Sequence, residues 1–114
     1  MENSALLIVG FLFLFLAYYY LKKPPKKINH LYGYRTRRSM ANQDIWDFAN
    51  KQSAKDFWRV AIVTMITGLA LLPFDIPFKV LVQMAVLLIG LGISVWNTEK
   101  EINKHFDKNG NKIL

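Results

Sequence analysis

The side chains best suited to chemistry lie close together, between residues 32 and 50. Tyr34, Arg35 and Thr36 are consecutive, and Ser39, Asn42, Trp46 and Asn50 follow at short spacings. Arg35 offers a planar fork of donors that matches a carboxylate or a phosphate, and it is flanked by two hydroxyls. Trp46 and Asn50 stand four residues apart, so on a helix they share a face and can close over one ligand. The same residues also fit a structural role, with Arg35 capping the carboxyl end of a helix and Trp46 seating a surface helix in lipid. Catalysis is a poorer fit. His30 and His105 are the only histidines, cysteine is absent, and no nucleophile–base spacing or glycine-rich phosphate loop occurs. Residues 107–111 look like part of a calcium loop, but Gly110 comes too early and no glutamate follows at the twelfth position. No enzyme activity, metal or cofactor is expected.

The elements that must hold this stretch are apolar helices. Residues 3–21, 60–74 and 80–98 carry no charge. A helix needs roughly 20 apolar residues to cross a bilayer. The first and third runs qualify directly. The middle one qualifies when Phe57, Trp58 and Arg59 form its interfacial end, with the Arg59 guanidinium snorkelling to the headgroups. The expected fold is therefore all-α: one membrane domain with three transmembrane helices, at about residues 4–21, 57–73 and 78–97. A cytoplasmic loop at 22–56 carries the motif, and a tail follows at 98–114. Within the loop, Lys22, Lys23, Pro24 and Pro25 end the first helix, and Gly33 between two tyrosines marks a turn. Asn42 can cap a new helix with Asp44 in its first turn. Ile45, Trp46, Ala49, Ser53 and Phe57 then give it an apolar face, so an interfacial or cytoplasmic helix is expected between spans one and two.

The net charge of +7 would suggest nucleic acid in a soluble protein, but its distribution argues otherwise. Residues 22–59 hold ten Lys/Arg against three acids, while Glu2 and the 75–79 turn together sum to −1. By the positive-inside rule the N-terminus lies outside and the motif loop and C-terminus lie in the cytoplasm. Lysines placed after the first apolar run suit a retained anchor rather than a cleaved signal, and Tyr18, Tyr19 and Tyr20 stand where an interfacial belt belongs. Residues 73–77 form a tight outer turn, making spans two and three a hairpin. Thr64 with Gly68, and Gly90, Gly92 and Ser94, supply small faces for close helix packing. Gln83 is expected to make an interhelical hydrogen bond, Trp96 to mark the inner interface, and the polar tail to be frayed helix.

The pattern Gly33, Tyr34, Arg35, Thr36, Ser39, Met40, Asn42, Trp46 and Asn50, just ahead of a two-helix hairpin, resembles the SdpI family of bacterial membrane proteins. The resemblance covers about residues 28–96; Arg37 departs from it, standing where proline is common. It implies a multi-pass protein of the bacterial cell membrane with a cytoplasmic motif loop. It also implies the function for which the family is named, immunity to a secreted, membrane-active peptide toxin, and signalling by holding a repressor at the membrane. Three functions are thus expected in order: immunity through binding of toxin or lipid in the bilayer; tethering of a cytoplasmic regulator; and a small transporter or lipid-binding subunit, which would need a homo-oligomer.

The topology has a direct test. With Lys27→Cys and Ile76→Cys made singly, an impermeant thiol reagent applied to intact cells should label position 76 and spare position 27. The reverse pattern would overturn the orientation.

Overall fold

A computed structural model describes residues 2–113. Three helices form: α1 at Glu2–Lys22, α2 at Gln43–Leu71 and α3 at Lys79–His105. α1 and α3 are each long and apolar enough to cross a membrane. α2 lies between them, both neighbours packing on it far more than on each other. The molecule is correspondingly elongated, 53 × 22 × 20 Å.

The helix expected between spans one and two runs on into the second apolar run. α2 is unbroken from Gln43 to Leu71, so the helix that Asn42 starts forms its first half. The reason is local. No proline lies between residues 43 and 71, and the only glycine, Gly68, comes in the last turn. Nothing there interrupts the hydrogen-bond ladder. Asn42 starts the helix as foreseen: its Oδ1 accepts from the Ile45 amide at 2.9 Å.

The polar tail also departs from expectation. α3 continues past Trp96 to His105, and the chain then turns back, with a β-bridge between Phe106 and Lys112. The amides of Asn109 and Asn111 both donate to Asp107 Oδ1 at 2.9 Å. Ile102 and Phe106 are buried against Tyr34, Ile45 and Ala49, with Phe48 alongside. The tail is thus held by a small apolar core, which the polar composition of residues 99–112 conceals.

Inside the bundle, polar contacts pin the helices in depth. Gln83 is fully buried, and its Nε2 donates to the Leu6 carbonyl of α1 at 3.0 Å and to the Thr64 carbonyl of α2 at 3.2 Å. One side chain of α3 therefore joins all three helices. At the opposite end from the motif, Lys79 Nζ donates to Asn3 Oδ1 at 3.0 Å and to the Leu72 carbonyl at 3.3 Å. A cation there complements the negative end of the α2 dipole.

The small residues separate into two kinds. A Cβ on Gly68 would lie 2.6 Å from Gln83 Nε2 and 3.2 Å from the Leu6 carbonyl, and one on Gly90 would lie 2.9 Å from a Val60 methyl. Gly92 has nothing within 4 Å and does not belong to the packed face expected of it. Gly68→Leu and Gly90→Leu should therefore lower the melting temperature in detergent, by overpacking costs of about 1–3 kcal/mol. Gly92→Leu should shift it little. Equal effects at all three positions would contradict this packing.

Candidate functional site

The motif folds into a cap over one end of the bundle, centred on Asn50. This side chain is 1% exposed. Its Oδ1 accepts from the Tyr20 hydroxyl of α1 and from the Tyr34 amide of the loop, both at 2.7 Å. Its Nδ2 donates back to the Trp46 carbonyl at 3.0 Å. One amide of α2 thus holds α1 and the loop. The loop can come this close because of Gly33. Its φ is 108°, and a Cβ there would sit 2.6 Å from both Asn50 Oδ1 and Pro25 Cγ. Only glycine meets both conditions.

Tyr34 carries the connection to α3. Its hydroxyl donates to Glu99 Oε2 at 2.7 Å, and the Thr36 hydroxyl donates to the same oxygen at 3.2 Å. Burial, reinforced by the bond to Glu99 and its negative charge, pushes the Tyr34 phenol well above its ordinary value. It therefore stays protonated and remains the donor. Ser39 and Thr36 close a reciprocal turn: Ser39 Oγ accepts from the Thr36 amide at 2.8 Å, and the Ser39 amide donates to Thr36 Oγ1 at 3.1 Å. Ser39 Oγ also donates to the Tyr34 carbonyl at 2.8 Å. These bonds satisfy loop groups that would otherwise be stranded away from water.

Trp46 does not seat the helix in lipid. It is fully buried, and its Nε1 donates to the Pro25 carbonyl at 2.9 Å, drawing the proline segment onto α2. Asn42 has a second partner besides the cap, since its Nδ2 donates to the Gly110 carbonyl of the tail at 2.9 Å.

Six of the seven motif residues thus interlock, whereas Arg35 stands apart. Its side chain is exposed and donates through Nη1 to the His30 carbonyl. It caps no helix, and it does not share a site with Trp46 and Asn50. Arg37 and the lysines of residues 22–27 are likewise exposed.

Several site residues escaped the sequence reading. Arg38 fastens the tail through Nη1 to the Asp107 carbonyl at 2.9 Å, and through Nη2 to Asn103 Oδ1 and the Phe106 carbonyl, each at 3.1 Å. Asp56 is a nearly buried carboxylate between α2 and α3. Its Oδ2 accepts from Asn97 at 2.9 Å, Gln52 at 3.2 Å and Thr98 at 3.3 Å, and its Oδ1 accepts from Arg59 at 3.2 Å. Such a charge is tolerable only with this number of donors. The signal for Asp56 was an acid just ahead of an apolar run; its α3 partners, Asn97 and Thr98, lie some forty positions away and leave no trace in spacing.

Beside the cap, a cleft of about 480 Å³ opens between α1 and α3. Leu16, Tyr19 and Tyr20 form one wall and Leu91 and Val95 the other. Tyr32, Gly33 and Tyr34 form the end nearest the cap. Among the described residues no His, Cys, Asp and Glu cluster has metal-binding geometry. The arrangement is that of a helical membrane-type protein with a hydrogen-bonded cap and a lateral aromatic cleft.

Comparison with known proteins agrees with this class. The description SdpI/YfhL protein family matches residues 26–96, so the chain belongs to that family. It is also 40% identical over 79 residues to the uncharacterized protein YfhL of Bacillus subtilis (strain 168), across 69% of this chain and 68% of that one. No solved structure matches.

The interlocking predicts unequal sensitivity. Asn50→Ala strands the Tyr20 hydroxyl and the Tyr34 amide and should destabilise the fold by about 1–3 kcal/mol for each group left without a partner. Arg35→Lys, at an exposed position outside the network, should stay within about 0.5 kcal/mol of wild type. Melting temperatures in detergent compare the two, and a large loss for Arg35→Lys would place it inside the structural network instead.

Proposed function

We propose that this protein is a non-enzymatic, three-span member of its family that protects the cell membrane against a membrane-active peptide toxin. In this reading the outer part of α2 spans the bilayer with α1 and α3, the motif cap lies in the cytoplasm, and the α1–α3 cleft takes up the toxin at the inner leaflet. The observation that carries it is the position of the cleft. It opens sideways between two apolar helices, it is lined by tyrosines and aliphatic side chains, and its floor is the interlocked motif. A peptide already dissolved in the bilayer meets an aromatic surface there without leaving lipid, and tyrosines suit a site that is apolar at one end and wet at the other. The motif's part is to hold Tyr20, Tyr32 and Tyr34 in place. Arg35 supplies a fixed charge at the rim for a carboxylate or phosphate of the bound molecule.

A second reading, capture of a cytoplasmic regulator, is favoured by one feature: Arg35, Arg37 and the lysines of residues 22–27 are turned outward on the cytoplasmic side. An acidic partner would find them accessible.

The two readings separate by mutation. Leu16→Trp fills the cleft from an exposed position on α1 and should fold normally. It should weaken protection of a sensitive host against such a toxin, with toxin binding reduced roughly tenfold, about 1.4 kcal/mol. Arg35→Lys should reduce protection per folded molecule as well. If Leu16→Trp protects as wild type does while removal of the rim charges abolishes function, the cleft reading fails and the regulator reading stands.

A further inference from the structure

A second groove lies on the far side of the bundle, between α2 and α3, where α1 does not reach. Its volume is about 440 Å³. Val60 and Val63 of α2 form one wall and Val86 and Ile93 of α3 the other, with Gly90 between them. Gly90 lets α3 approach Val60 at mid-height, where a Cβ would lie 2.9 Å from a Val60 methyl. Along α3 the groove extends from Val86 to Asn97, about 16 Å at 1.5 Å per residue. That is about half of the ~30 Å hydrocarbon core, the depth of one leaflet.

Its inner end is polar and charged. Asp56, Arg59, Trp96 and Asn97 close it. Asp56 is turned inward, its Oδ2 shared by Gln52, Asn97 and Thr98. Arg59 is turned outward: its side chain is 72% exposed against 7% for Asp56, and it is held by one bond through Nη1. Most of the guanidinium fork is therefore open at the mouth of an apolar groove, while the buried carboxylate fixes its position. Trp96 is exposed beside it, and the Lys100 ammonium lies 5.0 Å from the Trp96 ring centre. An open guanidinium and an interfacial indole thus crown a channel one leaflet deep.

We propose that this groove is a site for a single anionic phospholipid of the inner leaflet, with its phosphate on Arg59 and one acyl chain between Val63 and Ile93. The charge at the mouth matches a phosphate, which a guanidinium binds through paired donors. The length matches one acyl chain and not a transmembrane helix of a second copy, which would need the full depth of the bilayer. The site is separate from the toxin cleft, but it rests on the same reading that α2 and α3 form a membrane hairpin.

The test uses the full chain in nanodiscs containing equal palmitoyl-oleoyl phosphatidylglycerol and palmitoyl-oleoyl phosphatidylcholine. After mild extraction, native mass spectrometry reads the retained lipid and the oligomeric state together. Wild type should retain a single phosphatidylglycerol per chain. Arg59→Gln should lower that retention about tenfold, as loss of a charged hydrogen-bonded contact would. Ile93→Trp, which fills the groove from an exposed position, should lower retention of either lipid. The proposal is overturned by wild type that retains no lipid or prefers phosphatidylcholine, by equal retention in all three proteins, or by a dimer that Ile93→Trp dissolves. The last outcome would assign the groove to a second copy of the chain. Thiol labelling of Ile76→Cys in cells, repeated in each variant background, reports insertion of the hairpin independently. Correct labelling with failed retention rejects the lipid site alone, whereas failed labelling rejects the hairpin reading beneath it.

Discussion

The structure depends on the need of an irregular loop, packed on the end of a helical bundle, to find partners for its backbone. Residues 23–41 contain no helix of their own. Their amides and carbonyls cannot all reach water once the loop lies against α2, and each one left unpaired would be costly. The side chains of Asn42, Trp46 and Asn50 answer this requirement from successive turns of α2. Asn50 accepts the Tyr34 amide, Trp46 donates to the Pro25 carbonyl, and Asn42 donates to the Gly110 carbonyl. The spacing of four residues that suggested a ligand site instead places three donors and acceptors in a row along one helical face. Everything else at the inner end follows from that row, including the bond between Tyr34 and Glu99 and the docking of the tail.

Much of this was legible in the sequence. Charge-free runs, proline placement and the Asn42 cap are local signals, and they located all three helices. Gly33 was legible as a turn, although no local pattern hints that its missing side chain makes room for Asn50. Composition changes sharply near residue 59, so the sequence leaves open whether the motif helix bends where it enters the second apolar run; the backbone continues without a break. The tail was misjudged for a related reason. Residues 99–112 are polar on average, yet Ile102 and Phe106 suffice to anchor them, and an average conceals two well-placed side chains.

The pairs that matter most at the site lie beyond any local pattern. Tyr34 meets Glu99, Arg38 meets Asp107, and Asp56 meets Asn97 and Thr98, at separations of about forty to seventy positions. A sequence can mark each partner as a polar residue near a membrane boundary, but it cannot pair them. Arg35 shows the converse. By type it was the strongest ligand candidate, and the fold leaves it on the rim while enclosing its neighbours. Residues that look reactive and residues that hold the architecture are interleaved here one position apart, which is why the motif reads as a single unit in one dimension and divides into two in three.

The unbroken course of α2 has a mechanical consequence. A 29-residue helix is a rod of about 43 Å, and its only glycine lies in its last turn. With no hinge along its length, it behaves as a lever. Its Leu71 end is tied to α3 by Lys79 and Gln83, and its Gln43 end carries the row of side chains that holds the loop and the tail. A small tilt forced on the rod by anything wedged between the helices must therefore appear at its Gln43 end as a displacement of the whole cap. Occupancy between the helices and posture of the cap become two readings of one angle.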